Sequence, residues 1–256
     1  MKKAFILLAA ILVLAVSVSC NEPKEPELLA DGSIVLTSSM TTWNDGETYV
    51  LKRDVFFDRP GKRITVEGNV TLILNDGRKL YAMEGITVNN GSRLTIKGKG
   101  TLNAQNGSGE NDSAIGGTSG KSCGEIIITE GTVNAYANCS GHSNCGAGIG
   151  GGYQGKGGVV KITGGTVYAK GGEYGAGIGG GLEANGGVVQ IEGGSVYAEG
   201  GPYGDEHPTS GIGHGATYTN DGTLELGNGI KIQVSDDGEV WSDYDGTTHK
   251  RFMKTN

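Results

Sequence analysis

A glycine-rich segment of 29 residues occurs twice in succession, and this repeat limits the possible folds more than any other feature. The two copies are GAGIGGGYQGKGGVVKITGGTVYAKGGEY from Gly146 and GAGIGGGLEANGGVVQIEGGSVYAEGGPY from Gly175. Looser copies begin at Ser113 and Ser210, and residues 68–105 keep the rhythm of the strands without the glycine motif. A chain of about six similar units is typical of a solenoid, in which each unit packs on its neighbours.

Within each unit, apolar residues alternate with polar or aromatic ones at a period of two, which predicts short strands with one inward face. The Gly-Gly pairs between the alternating stretches predict turns. The inward sets are Leu94, Ile96, Leu102 and Ala104; Ile126, Ile128, Val133 and Ala135; Val160, Ile162, Val167 and Ala169; Val189, Ile191, Val196 and Ala198; and Leu224, Leu226, Ile230 and Ile232. Short strands of this kind cover one another when they coil and stack in parallel. We therefore predict an all-β fold, a right-handed parallel β-helix (solenoid) with capped ends.

The motif GAGIGGG at residues 146–152 contains the pattern G-x-G-x-x-G, which also occurs in dinucleotide-binding loops. Such a loop follows a buried strand and begins a helix, because the helix N-terminus holds the pyrophosphate. Here another glycine-rich turn and a strand follow, and the motif recurs at residues 175–181. We interpret these glycines as corners of the coil that allow close stacking, with Ile149, Ile178 and Ile212 directed inward.

The alternation of AGIGGG with GG-x-V-x-I-x-GG-T-V-x-A resembles the Gly-rich β-helical repeats of bacterial cell-surface and secreted proteins. The resemblance extends over about residues 31–234. Proteins of this kind are described as adhesin-like or carbohydrate-binding, so the resemblance implies a parallel β-helix and suggests a carbohydrate ligand. It assigns no site residue.

The first twenty residues predict export from the cytoplasm. Two lysines precede an apolar run of 13 residues that is too short to span a bilayer, followed by Ser-Val-Ser-Cys. Cys20 after small residues resembles a lipobox, which implies a lipid anchor at this cysteine in the cell envelope, in the outer membrane of a Gram-negative bacterium. Secretion without lipidation is the alternative. The formal net charge of −7 argues against nucleic acid as a partner, because the negatively charged protein and the phosphate backbone would repel each other.

The domain organisation follows from these signals. Residues 1–20 form the lipoprotein signal peptide, and the Pro- and Glu-rich residues 21–30 form a tether. The β-helix domain spans 31–256. Its predicted parts are an N-terminal cap at 31–66 with Trp43, Tyr49, Phe56 and Phe57, stacked repeats at 67–234, and a C-terminal cap at 235–256 with Trp241, Tyr244 and Phe252.

Tyrosines at the repeat spacing are the candidate ligand-binding residues. Tyr168 and Tyr197 lie 29 residues apart on the outward side of one strand, and Tyr174 and Tyr203 lie 29 apart in the next loop. Stacked turns would place each pair side by side, and sugars pack against such rings. The polar residues expected to border this platform are Glu173, Lys170, Gln190 and Glu199. The alternative is a ladder that only keeps neighbouring turns in register.

The cysteines allow two interpretations. In an oxidising compartment, Cys139 and Cys145 are expected to form a disulfide that closes an enlarged loop, which leaves Cys123 free unless it is the partner of one of them. Alternatively, Cys123, Cys139, His142 and Cys145 form a zinc site, since the spacing C-x2-H-x2-C permits convergence. We expect no cofactor; the alternative is Ca²⁺, because acidic residues lie in the later turns, although without the spacing of a ligand set.

Catalysis has weak support in the sequence. Gly213-His214-Gly215 is similar to a triplet of β-helical polygalacturonases, but the carboxylate motifs that accompany it there are missing. We therefore expect a non-catalytic adhesion or carbohydrate-binding module with a polysaccharide or a host or neighbour-cell surface glycan as partner. The alternatives are a polysaccharide lyase or glycoside hydrolase on the same fold, and a structural or protein-binding surface protein.

Overall fold

The computed structural model describes residues 25–107, 111–139, 145–202, 209–217, 220–247 and 249–256. The predicted signal peptide and Cys20 lie outside these residues, so the lipid anchor stays a prediction. Within the described residues the regular structure consists of β-strands. No helix among them is long and apolar enough to cross a membrane.

The strands are short, as expected from the dense turn signals. Their bounds are β1 Ile34–Val35, β2 Thr42–Trp43, β3 Thr48–Leu51, β4 Val55–Phe57, β5 Ile64–Val66, β6 Asn69–Leu74, β7 Lys79–Ala82, β8 Ile86–Thr87, β9 Arg93–Lys97, β10 Thr101–Gln105, β11 Ile115–Gly116, β12 Glu125–Ile128, β13 Thr132–Tyr136, β14 Ile149–Gly150, β15 Val159–Ile162, β16 Thr166–Lys170, β17 Ile178–Gly179, β18 Val188–Ile191, β19 Ser195–Glu199, β20 Ile212–Gly213, β21 Thr223–Leu226, β22 Ile232–Ser235, β23 Ser242–Asp243 and β24 Phe252–Thr255.

These strands form three sheets. Sheet A has the order β1-β3-β6-β9-β12-β15-β18-β21, and sheet B has the order β2-β5-β8-β11-β14-β17-β20. Sheet C has the order β23-β22-β24-β19-β16-β13-β10-β7-β4. From β3 to β21 the chain passes repeatedly through sheets A, C and B, and each strand pairs in parallel with its equivalent one turn away. The architecture is a right-handed parallel β-helix, which confirms the predicted fold class.

The register agrees with the predicted inward positions. Val160 pairs with Val189, Val167 pairs with Val196, and all four side chains are at most 2 % exposed. Leu226 in the last predicted set is an exception, because its side chain is 37 % exposed on β21. This strand is the last in sheet A, so no further turn covers it. The apolar ladders of the earlier turns form one continuous core along the rod.

The glycine motif forms the short strands of sheet B, where neighbouring backbones approach most closely. Gly150 has a φ of +140°, and a Cβ atom there would lie 1.9 Å from the carbonyl oxygen of Gly179 in the next turn. Ile149, Ile178 and Ile212 pair along this sheet and are buried. Glycine is therefore required for shape at this position, as the repetition of the motif predicts.

The N-terminal segment is already part of the coil. Residues 31–66, predicted as a cap, contain β1 to β5, and these strands lie in the three sheets. Trp43 and Phe57 are buried in the first turns. Phe56 differs from the prediction, because its side chain is 49 % exposed. It alternates with inward residues along β4, so it lies on the outer surface and does not cover the core.

An antiparallel unit of β22, β23 and β24 closes the C-terminal end of sheet C. Strand β24 pairs antiparallel with β19, at the position where the next parallel strand would otherwise lie. Its first strand begins at Ile232, three residues before the predicted start of the cap at residue 235. The reversed strand direction uses the free edge of β19, which protects this sheet from further stacking.

Candidate ligand-binding face

The tyrosine pair, Tyr168 and Tyr197, lies on the outer surface of sheet C. Both residues occupy the middle of five-residue strands, β16 and β19, and are direct partners in the parallel register. Their ring centroids are 5.7 Å apart, with an interplanar angle of 38°. Tyr168 is 45 % exposed. Tyr197 is partly buried, so the pair forms two neighbouring aromatic rings on the outer surface, as the 29-residue spacing predicts.

The C-terminal unit extends this aromatic surface beyond Tyr197. The ring of Trp241 lies 6.3 Å from that of Tyr197, and the ammonium group of Lys254 lies 3.9 Å from the Trp241 ring centroid. Burial raises the pKa of Tyr197, and the nearby Glu199 raises it further. Tyr197 therefore keeps its hydroxyl proton at neutral pH and can donate as well as accept a hydrogen bond.

Two of the predicted polar neighbours lie beside the tyrosine pair. Lys170 and Glu199 are partners in the register of β16 and β19, and their Nζ and Oε1 atoms are 3.0 Å apart. The guanidinium of Arg251 contacts the same Glu199 oxygen at 3.2 Å. One carboxylate that pairs with two cations therefore lies beside the tyrosine rings. It lies at the ends of β16 and β19, where the chain enters the next corner.

Gln190 lies elsewhere, contrary to its predicted position at the platform. It belongs to β18 in sheet A, where its amide donates a hydrogen bond of 2.7 Å to Glu225. The turn after β18 carries the chain from sheet A to sheet C, so the two outward faces are different surfaces of the rod. Alternation identifies an outward side chain, but it does not identify the sheet to which that side chain belongs.

The second predicted tyrosine pair is only partly described. Tyr174 lies in the corner between sheets C and B with a φ of +72°, and its carbonyl accepts a hydrogen bond of 2.8 Å from Ala216. Tyr203 lies outside the described residues, so the pairing of these two rings stays a prediction. Glu173 lines a cavity of about 500 Å³ in the same corner, together with Lys170 and Pro202.

Four further residues continue the line of the tyrosine pair across sheet C. The parallel register aligns Phe56, Tyr81, Asn103 and Asn134 with Tyr168 and Tyr197. We call these six residues the outer column. Their spacings along the chain range from 22 to 34 residues, because the turns between them differ in length. The sequence indicates the outer column only weakly, because its one common feature is that each residue occupies an outward position of its strand.

The cysteines lie in two different corners of the coil. Cys139 and Cys145 form a disulfide in the corner between sheets C and B. Cys123 is buried and free in the corner between sheets B and A, and burial raises the pKa of its thiol to about 12. His142 lies outside the described residues. The structure therefore separates Cys123 from Cys139 and Cys145.

No group of three or more His, Cys, Asp or Glu side chains in the described parts of the chain has a geometry suited to a metal ion. Some acidic residues of the later turns contact side chains of neighbouring turns, as in the ion pair of Glu192 with Lys161 at 2.5 Å. The hydrogen bond from Gln154 to Glu183, 2.9 Å long, is a further example. These contacts suit carboxylates that join neighbouring turns.

His214 lies in the C-terminal end of the coil. Its Nδ1 atom is 2.6 Å from the carbonyl of Gly215, and its Nε2 atom is 3.5 Å from the carboxylate of Asp221. The Ser210 hydroxyl donates to the same carboxylate at 2.6 Å. The histidine side chain is only 13 % exposed, so its contacts with Gly215 and Asp221 are largely shielded from solvent.

Comparison with known proteins agrees with the fold. A family model described as a beta helix repeat matches residues 126–153, 160–182 and 189–213. The chain carries parallel β-helix repeats. No curated protein and no solved structure matches the chain significantly. The matched repeats contain Tyr168 and Tyr197, and they bear on the fold without assigning a function to these residues.

Proposed function

We propose that this protein is a non-catalytic carbohydrate-binding or adhesion module, held at the cell envelope by a lipid on Cys20. The observation that carries the proposal is the tyrosine pair on the outer surface of sheet C. Aromatic rings pack against the C–H faces of sugars, and tyrosine adds a hydroxyl group that can bond to the sugar. The ligand class is a surface glycan or polysaccharide.

The setting of the pair supports binding. Tyr168 and Tyr197 lie on strands joined by parallel hydrogen bonding, so two rings are held close together before a ligand arrives. Such preorganisation increases affinity, because less conformational freedom is lost on binding. The Lys170 and Glu199 side chains beside the rings offer hydrogen-bonding groups to sugar hydroxyls. Since Glu199 is shared by two cations, its contacts suit positioning of a ligand more than proton transfer.

The test is a glycan-array screen of the mature chain beginning at Asn21, with and without Ca²⁺, followed by calorimetric titration of each glycan that binds. We expect saturable binding that the double variant Tyr168→Ala/Tyr197→Ala weakens at least about tenfold, as for aromatic residues central to an interface. Tyr153→Ala is the matched control, because Tyr153 lies in the corner between sheets B and A.

Three other outcomes would contradict the proposal. Equal loss of binding in the Tyr153→Ala control would show that the tyrosine pair has no special role. New reducing ends or unsaturated uronates in the glycan would indicate an enzyme. Folded protein that binds no glycan would favour a structural or protein-binding role.

A further inference from the structure

The outer column contains a second aromatic pair at the end of sheet C opposite to the tyrosine pair. Phe56 on β4 and Tyr81 on β7 are partners in the parallel register. Their rings are stacked, with centroids 4.6 Å apart and planes within 5° of each other. Phe56 is 49 % exposed, which is close to the exposure of Tyr168. Sheet C therefore presents two aromatic pairs on one surface.

Two asparagines connect the pairs. Asn103 on β10 and Asn134 on β13 lie between Tyr81 and Tyr168, and Asn134 donates a hydrogen bond of 2.9 Å to Asn103. Three strand steps separate the two aromatic pairs, which amounts to about 14 Å at a strand spacing of about 4.8 Å. The whole column spans about 24 Å over five such steps. Its amide groups fill the gap between the rings with donors and acceptors.

The chemistry of the column indicates the charge of its ligand. Its six side chains are uncharged, and the neighbouring row on the same surface contains the hydroxyl residues Thr101, Thr132, Thr166 and Ser195, with Lys79 next to Thr101. On the other side, Lys170 and Arg251 both pair with the Glu199 carboxylate. The cations beside the column, Lys79, Lys170 and Lys254, lie at separate points and form no continuous row for an anionic polymer, which the net charge of the chain would repel. An uncharged ligand rich in hydroxyl groups is complementary to this surface.

The shape of the column indicates the direction of the ligand. The six residues form a single row parallel to the axis along which the turns stack. A chain lying parallel to the strands would contact one pair at most, whereas a chain along the axis crosses the strands and contacts both. Two contacts within one molecule bind more tightly than one, because the second contact forms at high effective concentration.

We infer that the outer column binds an extended, unbranched and uncharged polysaccharide whose chain runs along the rod over both aromatic pairs. The inference rests on the proposed carbohydrate-binding function and specifies its ligand. The tyrosine pair holds one part of the glycan chain, the Phe56–Tyr81 pair holds another, and the two asparagines bind hydroxyl groups between them.

The test uses calorimetric titration of the mature protein with cello-, xylo-, manno- and chito-oligosaccharides of increasing length. For a series that binds, we expect affinity to rise at least about tenfold once the oligosaccharide reaches both pairs. The double variant Phe56→Ala/Tyr81→Ala removes this gain, so that long ligands bind no more tightly than the short ligands that occupy the tyrosine pair alone. Tyr81→Phe, which keeps the ring, retains most of the gain, and Lys161→Ala on sheet A is the control for an unrelated surface.

The outcomes separate this inference from the proposed function. Binding that does not depend on length, or that Phe56→Ala/Tyr81→Ala leaves intact for long ligands, overturns the inference and leaves the tyrosine pair as a binding site. Preference for a polyanionic glycan in the array also overturns it. Folded protein that binds no member of the array overturns both. Circular dichroism of each variant verifies the fold, and retained affinity for short ligands verifies the tyrosine pair.

Discussion

Replacing Gly150 by alanine tests whether the glycine motif is required for the close approach of neighbouring turns. The φ of Gly150 is +140°, a conformation that is essentially restricted to glycine and costs other residues of the order of 1–3 kcal/mol. In addition, the new Cβ atom would lie 1.9 Å from the carbonyl oxygen of Gly179, so the two turns must separate.

The separation would weaken the backbone hydrogen bonds on either side of this position. These are the bonds from Ile149 to Gly177, 2.9 Å long, and from Gly151 to Gly179, 2.8 Å long. Each contributes about 1 kcal/mol to stability. Together with the backbone strain, Gly150→Ala is expected to lower the free energy of unfolding by about 4 kcal/mol. For a domain of this size, the melting temperature then falls by about 12 °C.

Gly120→Ala is the matched control. Gly120 also has a positive φ, +70°, but a Cβ atom there would have no neighbour within 4 Å. Only backbone strain remains, so we expect a loss of about 1 kcal/mol. Urea denaturation followed by far-UV circular dichroism measures both variants. Equal losses in the two variants would refute the argument, because close stacking would then contribute nothing beyond the positive φ.

Two further predictions concern titratable groups. Burial raises the pKa of the Cys123 thiol to about 12, so iodoacetamide at neutral pH should modify it only after unfolding, as followed by mass spectrometry. Rapid labelling of the folded protein would contradict its buried position. The pKa of Asp237 is lowered from 3.8 to about 2 by the amides of Val240 and Glu239 and the Ser235 hydroxyl. Its stabilising effect is therefore complete above its unfolded pKa and is lost as pH falls towards 2, so Asp237→Asn should lessen the acid dependence of the melting temperature.

The candidate face was predictable from the sequence only in part. Tyr168 and Tyr197 belong to the two most similar repeats, so their equal positions predict that they are neighbours on adjacent turns. Phe56 and Tyr81 could not be aligned with them in the same way, because the turns that separate the strands vary in length. Gln190 was placed on the wrong surface for a related reason, since its outward direction said nothing about its sheet.

The C-terminal end also depends on tertiary structure. Strand β24 reverses direction and pairs with β19, which brings Trp241 next to Tyr197. The sequence after the last repeat contains aromatic residues but no repeat spacing from which this pairing could be derived. Hydrogen bonding between strands that are distant in the sequence determines this pairing, because the exposed edge of β19 accepts a strand of either direction.

The sequence by itself determines the parallel β-helix, its inward ladders and the tyrosine pair, because a period of two and a 29-residue repeat are local patterns with direct structural meaning. Only the tertiary structure decides which outward residues share a surface. The outer column is assembled from strands 22 to 34 residues apart, and the hydrogen-bond register between turns sets its alignment. The number of residues between such strands depends on the length of each intervening turn. The outward side chains therefore form no regular pattern along the sequence.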